Sequence, residues 1–422
     1  MINIPKGTKD CLPKDSYKWQ KVREVAMQLA KKYNLKEIST PGFESTELFV
    51  HSDGDSSDIV TKEMYTFLDK GGRSITLKPE GTAGAVRSYI ENGLGNELLP
   101  VKVFYITPCY RYEKPQAGRL REHHQFGVEL FGANSLASDV EAILIAFDFY
   151  KSFGLSPTVH VNFLGCDDCK KNYKESLKAY AEPHLEKMCD DCHKRYETNP
   201  LRMLDCKSPI CKDILKYAPI VVDNLCDKCK TKFEDILKML TTFGLKYELD
   251  PKLVRGLDYY TDFVFEFVDE TAGFAQSALG AGGRYDNLVE SLGGKPTPVI
   301  GFGIGIERFL LFLETHNIEI KDNYDLQVYV ASNTEDEHYV IKLVKSLRDK
   351  GYSVESNLME RSLKSQFKYA DKINAKLVIT VGDDEISENK LSVKNMKTGE
   401  QVKIWSNDLT EYIDKCLAEQ NN

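Results

Sequence analysis

The sequence predicts an α+β protein with a strand-rich first part, a helical cysteine-rich insertion and a small C-terminal α/β domain. Three observations carry this. Residues 103–107 read as a strand, a polar loop rich in Arg and Lys follows, and RLREHHQFGVELFG from Arg119 alternates as a second strand, giving a hairpin with both charge signs at its mouth. Eight of the eleven cysteines fall between Cys166 and Cys229, in a mostly helical stretch. From Asp325 onward strands and helices follow in βαβα order, which argues a separate domain.

Taken in order, residues 15–33 place Trp19, Val22, Val25, Ala26 and Leu29 at helical spacing and turn at Asn34. Residues 37–39 form a short strand before Pro41, Gly42 and Phe43. Residues 53–63, polar and containing Gly54, read as a mobile loop ahead of a strand at 64–68. In LKPEGT, Glu80 and Thr82 stand where a strand becomes a helix starting near Ala83, a junction at which backbone donors, a carboxylate and a hydroxyl converge. Glu80 equally suits a first-turn acid that stabilises the helix. RGLDYYTDFVFEF, from Arg255, puts one permanent cation and two phenols ahead of an apolar strand, which fits a pocket for a phosphate or carboxylate and a small polar ring. GFGIGIERFLLFLE, from Gly301, leads a Gly-rich strand into an amphipathic helix carrying Arg308. The expected boundaries are 1–324 for the first domain, interrupted by the insertion at 166–240, and 325–422 for the second, with 315–324 as linker. Strands are expected at 326–331, 352–356, 377–381, 390–394 and 401–404. Helices are expected at 337–350, at 363–374 and from Leu409, with 419–422 frayed.

Composition narrows the classes. With 422 residues the chain has room for two or three cores. Its 42% hydrophobic and 28% charged content is that of an ordinary soluble protein. Apolar runs such as 142–149 stop well short of the ~20 residues of a membrane span, and no apolar stretch follows the basic residues of the first ten, so no membrane is expected and a cytoplasmic location follows by default. The net charge of −8 speaks against nucleic acid when summed over the chain, but a sum does not see a local basic face.

Within the insertion, Cys166-x-x-Cys169, Cys189-x-x-Cys192, Cys206 with Cys211, and Cys226-x-x-Cys229 have the spacing of tetrahedral zinc ligands. In a reducing compartment such clustering points to metal sooner than to disulfides. Eight thiolates suit two structural Zn²⁺ ions. Cys189, Cys192, Cys206 and Cys211 make one plausible set and the outer pairs another; a core of reduced thiols is the alternative.

The hairpin through Arg111, Tyr112, Glu113 and Arg119 resembles motif 2 of the class II aminoacyl-tRNA synthetases, and the Gly301–Arg308 segment is similar to their motif 3. The strand and proline near Pro41 look like motif 1, which in that class builds the dimer interface. The run Arg255-Gly-Leu-Asp-Tyr259-Tyr260 narrows the resemblance to the histidyl-tRNA synthetase family, and NPLRMLDCK from Asn199 resembles that family's insertion. The match covers nearly the whole chain. It implies a catalytic domain on an antiparallel sheet, a C-terminal anticodon-binding α/β domain, a homodimer, and ATP with Mg²⁺, L-histidine and histidine tRNA as partners.

The resemblance also assigns roles. Arg111 would meet the α-phosphate of ATP, Arg308 its γ end, and Arg119 the nucleotide. Arg255 would stand between the substrate carboxylate and the α-phosphate, so Arg111 and Arg255 are the catalytic pair. Glu80, Gly81, Thr82 and Gln125 would hold the α-ammonium, Glu129 and Tyr260 the two imidazole nitrogens, and Tyr259 would line the same hollow. Gln125 and Glu129 are four apart on one strand and therefore share a face. Lys114 and Gln116 fall where the motif 2 loop meets the acceptor end of tRNA; many bacterial members have arginine where this chain has Lys114, a point charge in place of a fork. Arg284, in AGGRYDNL, is a weaker candidate beside the site. Gly301, Gly303 and Gly305 are expected to let ATP approach the strand. The competing reading is an inactive paralogue, the regulatory subunit of ATP phosphoribosyltransferase, although such paralogues usually lack the C-terminal domain and parts of the histidine motif.

Overall fold

The computed structural model describes residues 2–54, 57–254, 257, 259–269, 278–322 and 324–421. It divides into two compact units, Met1–Ile320 and Lys321–Asn422.

The first unit holds β1 (Lys36–Glu37), β2 (Phe43–Ser45), β3 (Tyr65–Leu68), β4 (Ser74–Leu77), β5 (Val101–Tyr110), β6 (Glu122–Phe131), β7 (Thr158–Phe163), β8 (Tyr247–Leu249), β9 (Phe263–Val268), β10 (Ala278–Arg284) and β11 (Val299–Gly305). Eight of them form one sheet in the order β1-β5-β6-β11-β10-β9-β7-β8. It is antiparallel from β5 through to β7, with parallel pairings at its two ends. Strand alternation gives the sheet two characters. Phe126, Val128 and Leu130 of β6, Ile300, Phe302 and Ile304 of β11, and Phe265 and Phe267 of β9 enter the main core. There they meet helices Pro13–Lys32, Leu136–Lys151 and Ile306–Thr315, with Phe149 packed 5.0 Å from Phe126 and 4.9 Å from Phe309, ring centre to ring centre. Each such fully buried ring contributes about 1.5–3 kcal/mol. The intervening residues Gln125, Gly127 and Glu129, with Gly301, Gly303 and Gly305, face the other way.

A small sheet, β2-β4-β3, lies beside this face and hands the chain into helix Thr82–Glu91. Residues 53–63 are not a plain loop: helix Thr46–Asp53 runs through Asp53, and Ile59–Glu63 forms a π-helical turn. Two of their polar side chains are buried. Asp53 and Ser57 are fully buried, Ile59 is buried too, and the Thr61 hydroxyl donates to the Ser57 carbonyl. The insertion leaves after β7 and returns into β8, which pair in parallel. Its helices Asp167–Ala181, Asp190–Thr198 and Pro209–Ile214 enclose a core of their own made by Leu177, Met188, Met203, Leu215 and cysteines.

The second unit pairs β12 (Val328–Asn333), β13 (Val354–Ser356), β14 (Leu377–Gly382), β15 (Lys390–Asn395) and β16 (Gln401–Trp405) in the order β13-β12-β14-β15-β16. The first three are parallel and the last two antiparallel. Val330, Ile379 and Val393 pack under Val344, Leu347 and Ile413, while Tyr329 and Val378 on the opposite face meet Ala370. The acidic run Asp383–Glu388, not anticipated as an element, is a short helix. The final helix Leu409–Asn421 takes in the described residues of the stretch expected to fray, and Gln420 donates to Asn395 at 3.0 Å. Among the described residues no helix is long and apolar enough to cross a membrane.

Candidate active site

The sheet face left bare by the core helices forms the floor of a cleft of about 530 Å³. Arg111 and Arg119 reach it from the β5–β6 hairpin, and Arg308 from the first turn of the helix after β11. Gln125, Glu80, Thr82, Tyr259 and Tyr260 close the other end. Residues far apart in sequence thus share one hollow. Arg255 lies outside the described residues, as do Gly256 and Asp258 of the same run.

Each guanidinium is oriented. Arg111 Nε donates to the Pro79 carbonyl at 2.8 Å, Arg308 donates to the Ala278 carbonyl at 2.8 Å, and Arg119 pairs with the buried Glu113 carboxylate. Burial and then the Arg119 charge lower the Arg308 pKa, with Arg111 adding to the effect. Held cations that repel one another favour an anion placed among them, as an oligophosphate would be. His123, which the sequence reading passed over, lines the same wall. Burial first, then Arg111, His124 and Arg308, push its pKa down to about 3. Its folded-state pKa is therefore below the ordinary value near 6.5, so the unfolded chain takes up a proton first as pH falls and stability declines from about pH 6.5 toward 3. The His123→Gln variant is expected to flatten that decline by at most about 1.4 kcal/mol per pH unit, since the ring still meets solvent in the cleft; melts compared between pH 7 and pH 5 measure it.

Around the other end, at Glu80, Gln125 and the tyrosines, sequence and geometry differ in detail. Glu80 is buried, and its carboxylate accepts from the Thr82 and Ala83 amides at 2.6 and 2.5 Å, so it caps the helix while lining the cleft. Gly81 donates its amide to Gln125 Oε1 at 3.0 Å, which fixes the orientation of that side chain. Glu129 does not line the cleft. It sits one layer beneath, fully buried, accepting from the Tyr105 hydroxyl at 2.8 Å and from the Tyr285 hydroxyl. Burial raises its pKa well above the usual carboxylate range, against the Tyr105 hydrogen bond. Neither tyrosine was singled out from sequence, yet a signal existed: Tyr105 is in register with Gly127, and its ring fills the space that a Cβ on Gly81 or Gly127 would occupy. Tyr285 in turn packs its ring 5.2 Å from Tyr259 and 6.0 Å from Tyr260.

Gly301, Gly303 and Gly305 line the cleft. Gly301 and Gly303 also make room for side chains from β6, since a Cβ on Gly301 would lie 1.8 Å from Glu129 Oε2 and one on Gly303 1.9 Å from Gln125 Nε2. Consequently Gly301→Ala is expected to displace Glu129 and raise the KM of the substrate bound beside it by roughly tenfold or more, because a misplacement near 1 Å can cost up to 100-fold; substrate titration checks it. Arg284 is not in the cleft. It is fully buried at the end of β10, with Nε 2.5 Å from Asp139 Oδ1 and further bonds to Ser138 and the Ala133 carbonyl, an internal ion pair.

Lys114 and Gln116 are exposed on the hairpin loop, where the Gln116 and Arg119 backbones bond each other reciprocally. In the insertion the thiols gather as Cys166, Cys169, Cys226, Cys229 and as Cys189, Cys192, Cys206, Cys211, each set within 4.8 Å. Three of the pairs begin at a helix N-terminus, and amides donate to sulfur: Cys226 to Cys169 at 3.1 Å, Cys166 to Cys229 at 3.4 Å, Cys189 to Cys211 at 3.3 Å. Amides and helix dipoles aimed at sulfur favour thiolates, so both sets fit a four-thiolate cation site.

An antiparallel sheet with arginines converging from a hairpin and from the helix after a glycine strand defines the catalytic domain of a class II aminoacyl-tRNA synthetase. The histidyl-tRNA synthetase family model matches residues 7–309, and an anticodon binding domain model matches 327–416. The chain belongs to the histidyl-tRNA synthetase family. It is 50% identical over 419 residues to a histidine–tRNA ligase of Caldanaerobacter subterraneus, covering 99% of each chain. The apo histidyl-tRNA synthetase of S. aureus superposes with a TM-score of 0.84 at 40% identity, over 98% of this chain and 100% of the other. A Bacillus halodurans protein described as an ATP phosphoribosyltransferase regulatory subunit/histidyl-tRNA synthetase shares the fold at 20% identity, with a TM-score of 0.64 over 90% of this chain and 98% of the other.

Proposed function

We propose that this cleft joins L-histidine to ATP and passes the histidyl group to the 3′ end of histidine tRNA. The observation that carries the reading is the convergence of Arg111, Arg119 and Arg308 on one hollow with Gln125, Tyr259 and Tyr260. In the first step the histidine carboxylate attacks the α-phosphorus, the bond to the β-phosphate oxygen breaks, and pyrophosphate leaves as the adenylate forms. Two anions must meet, so fixed cations and in-line positioning supply most of the acceleration. Arg111 stabilises charge on the α-phosphate, Arg308 and Arg119 hold the nucleotide, and Arg255 is assigned to the carboxylate and α-phosphate by its motif. Mg²⁺ accompanying ATP would supply further charge neutralisation.

Glu80, Thr82 and Gln125 are proposed for the α-ammonium and Tyr260 for one imidazole nitrogen. Glu129, set behind Gly301, serves the other nitrogen once the ring enters, or holds Tyr105 and Tyr285 against it. A neutral imidazole offers one donor and one acceptor, which a phenol and a carboxylate match. In the second step the terminal ribose hydroxyl attacks the acyl carbon and AMP leaves, with a phosphate oxygen of the adenylate as the proton acceptor. Lys114 and Gln116 are assigned to the acceptor end. The domains are taken as 1–324, with the insertion at 166–240, and 325–422, the latter reading the anticodon arm; two such chains make a homodimer in the cytoplasm. Zn²⁺ is the proposed occupant of both thiol sets, in a structural role, because four thiolates leave no open position for water.

The test is charging of tRNA with radiolabelled histidine. Acceptance by histidine tRNA and by no other tRNA is expected. Absence of charging, together with stimulation of an ATP phosphoribosyltransferase, would favour the paralogue instead.

A further inference from the structure

We propose that the thiol set Cys166, Cys169, Cys226 and Cys229 positions the Tyr259–Tyr260 turn of the amino-acid site, acting through Asp262. The inference rests on the readings of the cleft as a histidine site and of this set as a metal site. Asp262 follows Tyr260 by two residues and is gripped twice. Its carbonyl accepts from the Leu164 amide at 2.7 Å, and its carboxylate pairs with Lys232 Nζ at 2.6 Å.

Both grips originate beside the thiols. Leu164 lies two residues before Cys166, across Gly165, whose φ of +77° and 2.5 Å approach to the Cys169 Cβ leave no room for a side chain. Lys232 lies three residues after Cys229, nearly one turn along helix Asp227–Thr242 and on the same face. The two arms of the insertion are bound to each other at this point by the reciprocal amide-to-sulfur bonds, Cys166 to Cys229 and Cys226 to Cys169. An ion shared by the four sulfurs would fix the spacing between Leu164 and Lys232, and with it the place of Asp262.

The neighbours of Asp262 explain why its position reaches the substrate. Thr261 donates its amide to the Arg284 carbonyl at 2.8 Å, and its hydroxyl accepts from the Asp286 amide at 3.2 Å. The Tyr260 ring lies against Gly283, where an added Cβ would come within 2.9 Å of it. Lys232 also stands 3.6 Å from the buried Asp139 carboxylate. Asp139 keeps Arg284 as its main partner, whereas Asp262 has Lys232 at 2.6 Å, so removing the ammonium takes away the ion pair of Asp262 and leaves it beside a second carboxylate. Lys232 and Asp262 are thus positioning residues that act through Tyr260 without touching the substrate.

The test compares Lys232→Met, Lys232→Arg and the exposed control Lys230→Met in the full chain, together with the double variant Cys166→Ser/Cys226→Ser. The readouts are zinc content, histidine Kd by calorimetry, and KM for histidine and for ATP in pyrophosphate exchange. Lys232→Met is expected to raise histidine Kd and KM roughly tenfold with the ATP KM within about twofold, Lys232→Arg to recover most of the loss, and Lys230→Met to match the parent. The double thiol variant is expected to lose one zinc of two and to weaken histidine binding in the same manner. Histidine affinity unmoved in Lys232→Met, or histidine and ATP affected alike, overturns the proposal. If the parent binds no metal, the zinc reading falls while Lys232→Met still decides the clamp. If no amino acid binds the parent, the reading of the cleft is what has failed.

Discussion

Replacing Arg111 by alanine is expected to slow ATP–pyrophosphate exchange by about 100- to 1000-fold, the range seen when one preorganised donor to a developing oxyanion is removed. Arg111 differs from a surface cation in being aimed: its Nε is bonded to the Pro79 carbonyl, one residue ahead of the Glu80 cap, which leaves its other donors free for phosphate on the cleft wall. Arg111→Lys is expected to recover only a small part, because an ammonium supplies a point charge without the fork. Arg111 is partly exposed, so the melting temperature should hardly change. A loss below tenfold, or a matching drop in stability, would show that the residue braces the hairpin and does not act on the reacting phosphate.

The second large effect concerns folding. Arg284→Met is expected to cost about 3–5 kcal/mol, since removing one partner of a buried ion pair leaves the other uncompensated. Asp139 would remain fully buried with only Lys232, at 3.6 Å, to oppose its charge. Burial already pushes the Asp139 pKa up to about 6 against the pull of Arg284 and Lys232. Without the guanidinium it rises further, so the folded state binds the proton more tightly than the unfolded one. Stability is then retained at low pH and lost as pH rises through the folded pKa, which makes the variant's deficit smaller at pH 5 than at pH 8. Denaturation at both values measures this, and the double change Arg284→Met/Asp139→Leu should regain most of the loss.

The parts that were legible in the sequence are those whose chemistry is local. Alternation in β5 and β6 placed Gln125 and Glu129 on one face, and the cysteine spacings marked the thiol pairs as metal-ligand candidates, while which pairs combine into a set is decided by the fold. The helix after LKPEGT was legible from its capping residues. What stayed hidden depends on partners distant in the chain. Arg284 looks like any arginine after a glycine turn until Asp139, 145 residues away, is folded beside it. Tyr105 and Tyr285 carry no motif, and their hold on Glu129 arises only when β5, β6, β11 and β10 lie side by side. The polar run 53–63 misled because polarity signals solvent unless the side chains are buried and bonded, as those of Asp53 and Ser57 are.

The most direct measurement is ATP–pyrophosphate exchange run with each of the amino acids in turn. Exchange driven by histidine, and by no other amino acid above background, is the outcome expected of a hollow that sets guanidinium groups over the phosphates and phenols over an imidazole. Exchange with several amino acids, or with none while ATP still binds, would contradict it.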